Sequence, residues 1–534
     1  MLRDVSQAVG ASDLRRAADI SGTALSRGFR HPTFHNARAL WAQQEGRHQA
    51  ALDEFQMALT FTPRNPTLLN AIAMCLVRLN RPDEGVTFLD ASLGVEPNEA
   101  QTHYLKGWAC SAAGDQEIAR LCYERAVTLR ADYPEALAAL AAVRARAGGI
   151  EEARALAARA LALHPREPTA IVALAICDIA QRDFAAVERR LKPMLDDPGV
   201  AGHARALMLG LYADALDGES RFAEAFDAYT AKNEEFRRLH ASRFSQRPRT
   251  VEFLERLTAY LQNAPHEKWR TARPQEPSDV APREHIFVLG FLRSGTTLLE
   301  QVLAAHPQIV RVEERETLID ASKIFLTTEQ GLDRLAALSA QDASRMRALY
   351  WNRVRSYGAD PTGKVLVDKQ PLNTFNLPLI SKLFPNAKIL FALRDPRDVV
   401  LSCFRRHFDI TATMFELLVL EDAARFYDSA MTLAEACRRE LPLNIHDHRY
   451  EHMIEDFDGS VRAVCAFAGI EWTDAMRDFG NAARQRAIRS PSAAQVRREL
   501  YSEGVGHWRN YRPQLAPILP VLRPWVDRFG YPPD

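Results

Sequence analysis

Cysteine is scarce in this chain: seven in 534 residues, an odd number, with no Cys-x-x-Cys pair among them. A disulfide framework and a structural zinc site are therefore not expected; buried, reduced thiols are, and with them a cytoplasmic location. Excess charge of one sign is also absent, since Lys+Arg and Asp+Glu are both 68. That argues against a strongly basic nucleic-acid binder and leaves room only for a local basic cleft. No apolar run approaches the roughly 18 residues of a membrane span. The opening stretch MLRDVSQAVGASDLRRAADI interrupts its apolar positions with charges, so no secretory signal is expected. What is present is 47% hydrophobic and 25% charged, the composition of a folded globular protein. The length allows about three to four domains.

The first half is periodic. Small residues recur at one step of 34 positions: Ala39, Ala73, Gly107, Ala141; then Ala51, Gly85, Ala119, Ala153; then Ala58, Ser92, Ala126, Ala160. Turn residues keep the same step at Gly46, Asn80, Gly114 and Gly148, as do Pro63, Pro97 and Pro165, with Ala131 in the remaining slot. The pattern resembles the tetratricopeptide repeat, a pair of antiparallel helices. Small side chains let the two helices approach, and Gly or Asn turns the chain between them. One pair cannot bury its apolar face alone, so pairs stack into a solenoid. The repeats are expected to run to residue 238, closing with Gly218 and RFAEAFDAY (221–229). Residues 239–282 carry Pro248, Pro265, Pro274, Pro277 and Pro282 and read as a short helix (250–263) and a linker.

From residue 283 the pattern alternates strand and helix. HIFVLGF (285–291), AKILFALR (387–394) and a segment around 443–450 read as buried strands of a parallel sheet. Between the first strand and the helix after it lies Gly290-Phe-Leu-Arg293-Ser-Gly295-Thr-Thr297. Backbone N–H groups at such a turn cradle an anion, and the helix N-terminus adds favourable potential. The spacing mimics a Walker A loop, but Thr296 stands where that motif has its lysine, which disfavours ATP hydrolysis. Arg293 brings a cation into the loop instead, and its planar fork suits a phosphate or sulfate.

FVLGFLRSGTTLLEQVLAAHP (287–307) resembles the 5′-phosphosulfate loop of sulfotransferases that use 3′-phosphoadenosine 5′-phosphosulfate (PAPS). FALRDPRDVVLSCFRRHF (391–408) resembles their 3′-phosphate segment. The nearest pattern is that of bacterial repeat-containing sulfotransferases and tyrosylprotein sulfotransferases, over roughly residues 284–525. The resemblance implies an α plus α/β architecture: an all-α repeat solenoid (1–238), the helix and linker (239–282), and a P-loop-like α/β sulfotransferase domain with a central parallel sheet (283–534). It implies that Arg293, Ser294, Gly295, Thr296 and Thr297 hold the 5′-phosphosulfate, and Arg394 and Ser402 the 3′-phosphate. Arg397 and Arg406 are further candidates, with a solvated helix face as the alternative for each. Glu314 falls where the family places its catalytic base, with Glu313 as rival, and Lys369 where a lysine contacts the transferring group. Tyr450, Ser492 and Arg497 match nucleotide contacts, and the product would be 3′-phosphoadenosine 5′-phosphate (PAP). The chemistry calls for no metal, and His306 before Pro307 is read as a helix cap.

Two departures bear on specificity. Relatives carry Lys or Arg just before the tail tryptophan; here that residue is His507, only partly charged near neutral pH. Tyrosylprotein sulfotransferases use two arginines to read acidic residues near the target tyrosine, and the matching positions are Glu316 and Asp320. Carboxylates there repel an acidic peptide. The expected activity is sulfuryl transfer to a hydroxyl, with a protein tyrosine and a saccharide both open as acceptors. The repeats would recruit a polypeptide or other macromolecular partner. A P-loop-type kinase or NTPase, and a non-catalytic repeat scaffold with a nucleotide-binding domain, remain as alternatives.

Overall fold

The computed structural model describes residues 1–244, 247–264, 266–270, 282–480 and 504–533. The chain divides into two compact units, Met1–Leu191 and Lys192–Asp534.

The first unit is a stack of antiparallel helix pairs. Pro32–Gln44 pairs with His48–Phe61, Pro66–Arg78 with Pro82–Leu93, Ala100–Ala112 with Gln116–Leu129, and Pro134–Arg146 with Ile150–Leu163. The turn residues expected from the period all take left-handed backbone: Gly46, Asn80, Gly114 and Gly148 have φ of 71°, 62°, 84° and 90°. Of the small-residue series, Ala39, Ala73, Ala141, Ala51, Ala119, Ala153, Ala58, Ser92, Ala126 and Ala160 are completely buried. Gly107 shows why the position stays small. A Cβ there would lie 2.6 Å from Cε1 of Tyr123, a buried ring packed against Tyr104. Overpacking of about 1–3 kcal/mol then exceeds the helix-propensity gain of about 1 kcal/mol. Gly107→Ala is expected to destabilise the repeats, seen as a lower urea midpoint of the helical transition.

The second unit begins with the helices Gly202–Gly218 and Phe222–Phe244. This hairpin contains the segment expected to close the repeats, yet the division between units falls after Leu191, not at residue 238. The reason is a set of polar links that periodicity does not reveal. Asp217 pairs with Arg405 at 2.6 Å, and Lys232 bonds the backbone of residues 404–406. The region read as a short helix and linker holds the end of the Phe222–Phe244 helix and the helix Thr250–Asn263, whose Leu254, Leu257 and Leu261 are buried.

The sheet has five parallel strands: β1 (Glu284–Gly290), β2 (Ile309–Glu313), β3 (Val365–Lys369), β4 (Lys388–Leu393) and β5 (Asn444–Arg449), in the order β2-β3-β1-β4-β5. β1 alternates between two cores. Phe287 and Leu289 join Phe391, Phe426 and Trp351 on one face, while Ile286 and Val288 join Leu299, Val302 and Val464 on the other. Helices thus cover both faces, as a parallel sheet requires. After β1 the chain turns toward β2 and β3; after β4 it turns the other way, toward β5. The reversal opens a crevice at the carboxyl ends of β1 and β4, where open α/β sheets bind ligands.

Among the described residues no helix is long and apolar enough to cross a membrane. All seven cysteines are buried and free.

Candidate active site

A cavity of about 730 Å³ lies at this crevice, within the roughly 300–1,000 Å³ range of small-molecule sites. Its floor is the turn between β1 and the helix Thr296–Ala304. Two glycines shape that turn. Gly290 has φ 152°, and a Cβ would meet the Ala392 carbonyl oxygen at 2.5 Å. Gly295 has φ 94°, and a Cβ would meet the Tyr450 ring at 2.7 Å. Arg293 itself is left-handed at φ 67°. Curled backbone leading into a helix N-terminus makes an anion cradle.

Cations converge on the cradle. Arg293 donates from Nε to Ser402 Oγ at 3.0 Å. Arg394, at the end of β4, donates to the Arg293 carbonyl oxygen at 3.2 Å and to the Gly504 carbonyl. Its guanidinium stands 4.8 Å from the Tyr450 ring centroid. Burial, then the charges of Arg406 and Arg394, push the Arg293 pKa down to about 9. Three guanidiniums brought together at such a cost are arranged for a multiply charged anion. Arg394 Nε is buried with no hydrogen-bond partner among the described residues. These features fit the phosphates of a nucleotide.

Of the residues expected at the site, Arg293, Gly295, Thr296, Thr297, Arg394, Ser402, Tyr450 and Glu314 line the cavity, and Ser294 is buried in the turn. Ser492 and Arg497 lie outside the described residues. Arg406 lines the cavity too. Arg397 does not, nor is it on a solvated face. It is buried, paired with Asp395 at 2.8 Å, stacked 3.9 Å from the Trp508 ring and bonded to the carbonyls of Pro532 and Pro533. Its task is to tie down the C-terminal segment. His306 is buried in the turn after its helix, where Nδ1 accepts from the Gln308 N–H at 3.2 Å.

Glu314 opens into the cavity on left-handed backbone, φ 45°, whereas Glu313 does not line it and instead accepts from Arg311 at 3.2 Å. Lys369, at the end of β3, is completely buried and forms no part of the lining. Its Nζ lies 2.6 Å from Glu314, 3.3 Å from Glu300 and 4.0 Å from Glu313. Burial opposes its charge, but the three carboxylates outweigh burial and raise its pKa. The lysine expected to touch the transferring group therefore touches the candidate base. Behind them Thr317 and Tyr350 donate to Asp368 at 2.7 and 2.8 Å and fix the Glu314 loop to β3.

Some lining residues had no advance signal. Asp214 and Asp217 come from the helix Gly202–Gly218, which looked like a repeat. Asp217 accepts from His507 at 2.9 Å and from Tyr511. Burial opposes its ionisation, but the His507 hydrogen bond and the Arg405 charge prevail and bring its pKa to about 2. His507 is thus turned toward a carboxylate. Leu372, Phe375 and Met414 supply an apolar wall. Glu316 lines the cavity, while Asp320 turns to Arg353 at 2.9 Å and does not.

Residues 285–474 match the family model described as "Sulfotransferase family", and residues 42–109 and 100–133 match tetratricopeptide repeats. The chain therefore joins tetratricopeptide repeats to a sulfotransferase-family domain, as the motifs implied. An uncharacterized protein of Aquifex aeolicus is 25% identical over 395 residues, covering 72% of this chain and 50% of that one. The protein-tyrosine sulfotransferase of Drosophila melanogaster is 26% identical over 271 residues (47% of this chain, 53% of that one). Protein-tyrosine sulfotransferase 2 of Gallus gallus is 26% identical over 268 residues (46% and 69%). The match spans about half the length of the first two relatives.

Proposed function

We propose that this protein is a sulfotransferase that takes a sulfuryl group from PAPS and passes it to a hydroxyl. The observation that carries the reading is the convergence of Arg293, Arg394, Arg406 and Ser402 on the β1 turn, in one cavity with Glu314. PAPS supplies a sulfuryl group already activated on a phosphate leaving group. Arg293 and the turn from Ser294 to Thr297 hold the 5′ end and meet the charge that grows there. Arg394 and Ser402 hold the 3′-phosphate, with Tyr450 against the nucleotide. Glu314 accepts the acceptor's hydroxyl proton as general base, and Lys369 fixes the carboxylate for that task.

The acceptor enters beside Leu372, Phe375 and Met414, a wall suited to an apolar or aromatic body carrying the hydroxyl. Glu316 on the same cavity disfavours an acidic acceptor. A protein tyrosine in a non-acidic context and a saccharide hydroxyl both meet these conditions. The repeats recruit the polypeptide acceptor or a partner, in the cytoplasm.

Glu314→Gln is the test of the chemical step. General-base catalysis contributes roughly 10²–10⁴-fold. Single-turnover transfer from radiolabelled PAPS to a screened hydroxyl acceptor should fall by that factor in the variant, with PAP affinity unchanged. Equal transfer rates in the two proteins would remove Glu314 from the mechanism.

A further inference from the structure

Lys232 is one of the largest completely buried side chains of the molecule, and the chemistry above leaves it unused. It stands on the Phe222–Phe244 helix, in the hairpin whose sequence continues the repeats. Its Nζ donates to three successive carbonyls: Phe404 at 3.3 Å, Arg405 at 2.8 Å and Arg406 at 3.3 Å. Asn233 donates to the Phe404 carbonyl at 3.0 Å. These carbonyls close the helix Pro396–Arg405, which carries Ser402, and begin the segment that puts Arg406 on the cavity. The facing helix makes room for the lysine stem at Gly210, where a Cβ would come within 3.3 Å of Lys232 Cδ. A cation on helix C-terminal carbonyls compensates the dipole and fixes the last turn.

We infer that Lys232 is a positioning residue for nucleotide binding: its charge holds the end of the Ser402 helix so that Ser402 and Arg406 meet the nucleotide's phosphates. The inference rests on the PAPS reading of the cavity. The charge is held at a cost. Burial pulls the Lys232 pKa down to about 7, against Asp214 on the facing helix, which supports the charge, and Arg406 and Arg405, which oppose it. The Tyr229 ring, 5.5 Å away, completes its surroundings. A polyanion in the cavity favours the charged lysine, so binding takes up a proton and affinity falls as pH rises through 7.

The test compares wild type with Lys232→Met by calorimetry with PAP across neutral pH. The expected result is about tenfold weaker PAP binding in the variant below pH 7, with the two proteins converging as pH rises. A folded variant that binds PAP like wild type at every pH overturns the inference while leaving the PAPS reading intact. Failure of wild type to bind PAP overturns both. Should the variant not fold, wild-type titrations at pH 7.5 in two buffers of different ionisation heat decide: proton uptake supports the role of Lys232, and none overturns it.

Discussion

Lys369→Met is expected to cost the second unit about 3–5 kcal/mol at pH 7.5, the usual penalty for removing one partner of a buried ion network. Lys369 stands among Glu300, Glu313 and Glu314, and without it the first two keep their pairing with Arg311 but lose the buried cation between them. The loss should depend on pH in a defined direction. Burial raises Glu300 to about 7 even with the lysine present, above an ordinary carboxylate value. The folded state therefore holds a proton at Glu300 that the unfolded state releases, and stability falls as pH rises from about 4.5 toward 7. Removing Lys369 strengthens this dependence, so the variant recovers part of its loss near pH 5.5. Urea unfolding at the two pH values checks it. A variant as stable as wild type at pH 7.5 would mean that the carboxylates repel each other less than their burial implies.

Arg394→Ala should weaken PAP binding by about 100-fold or more and leave the empty protein nearly as stable as before. A hydrogen bond to a charged group is worth about 1.5–3 kcal/mol, and a guanidinium fork on a phosphate makes two. The unliganded protein loses little, because among the described residues Arg394 donates to the Arg293 and Gly504 carbonyls, and its repulsion of Arg293 offsets its attraction to Asp398. Strain relieved without ligand and affinity lost with it is the usual exchange at a binding site. Isothermal titration and a thermal melt of the same preparation read both effects. A large drop in melting temperature with unchanged affinity would make Arg394 a structural residue.

The repeats were legible because their packing is local. Each small residue meets its partner helix within one period, and each turn needs a residue that tolerates positive φ, as Asn80 and Gly114 do. The cradle was legible for a similar reason: Gly290 and Gly295 each leave no room for a Cβ. Strands β2 and β3 escaped notice. β2 reads Ile-Val-Arg-Val-Glu and is half polar, and β3 is only five residues long. The unit boundary was illegible because Asp217 and Lys232 act across more than 170 residues, on Arg405 and its neighbours. Helical periodicity records which face a residue occupies, not what it bonds to. Arg397 was misread for a related reason: its partners Trp508, Pro532 and Pro533 arrive from the far end of the chain.

The proposed ligand of the cavity is a 3′,5′-bisphosphorylated nucleotide, not a nucleoside triphosphate. Its most direct test is the thermal shift of the wild-type protein with PAP, set against ATP with magnesium. A ligand that binds only the native state raises apparent stability by mass action, about 2.7 kcal/mol at 100 times its Kd. A clear rise with PAP and none with ATP and magnesium is the predicted result. A rise with ATP and magnesium but none with PAP would contradict it and turn the cavity into that of a kinase or NTPase.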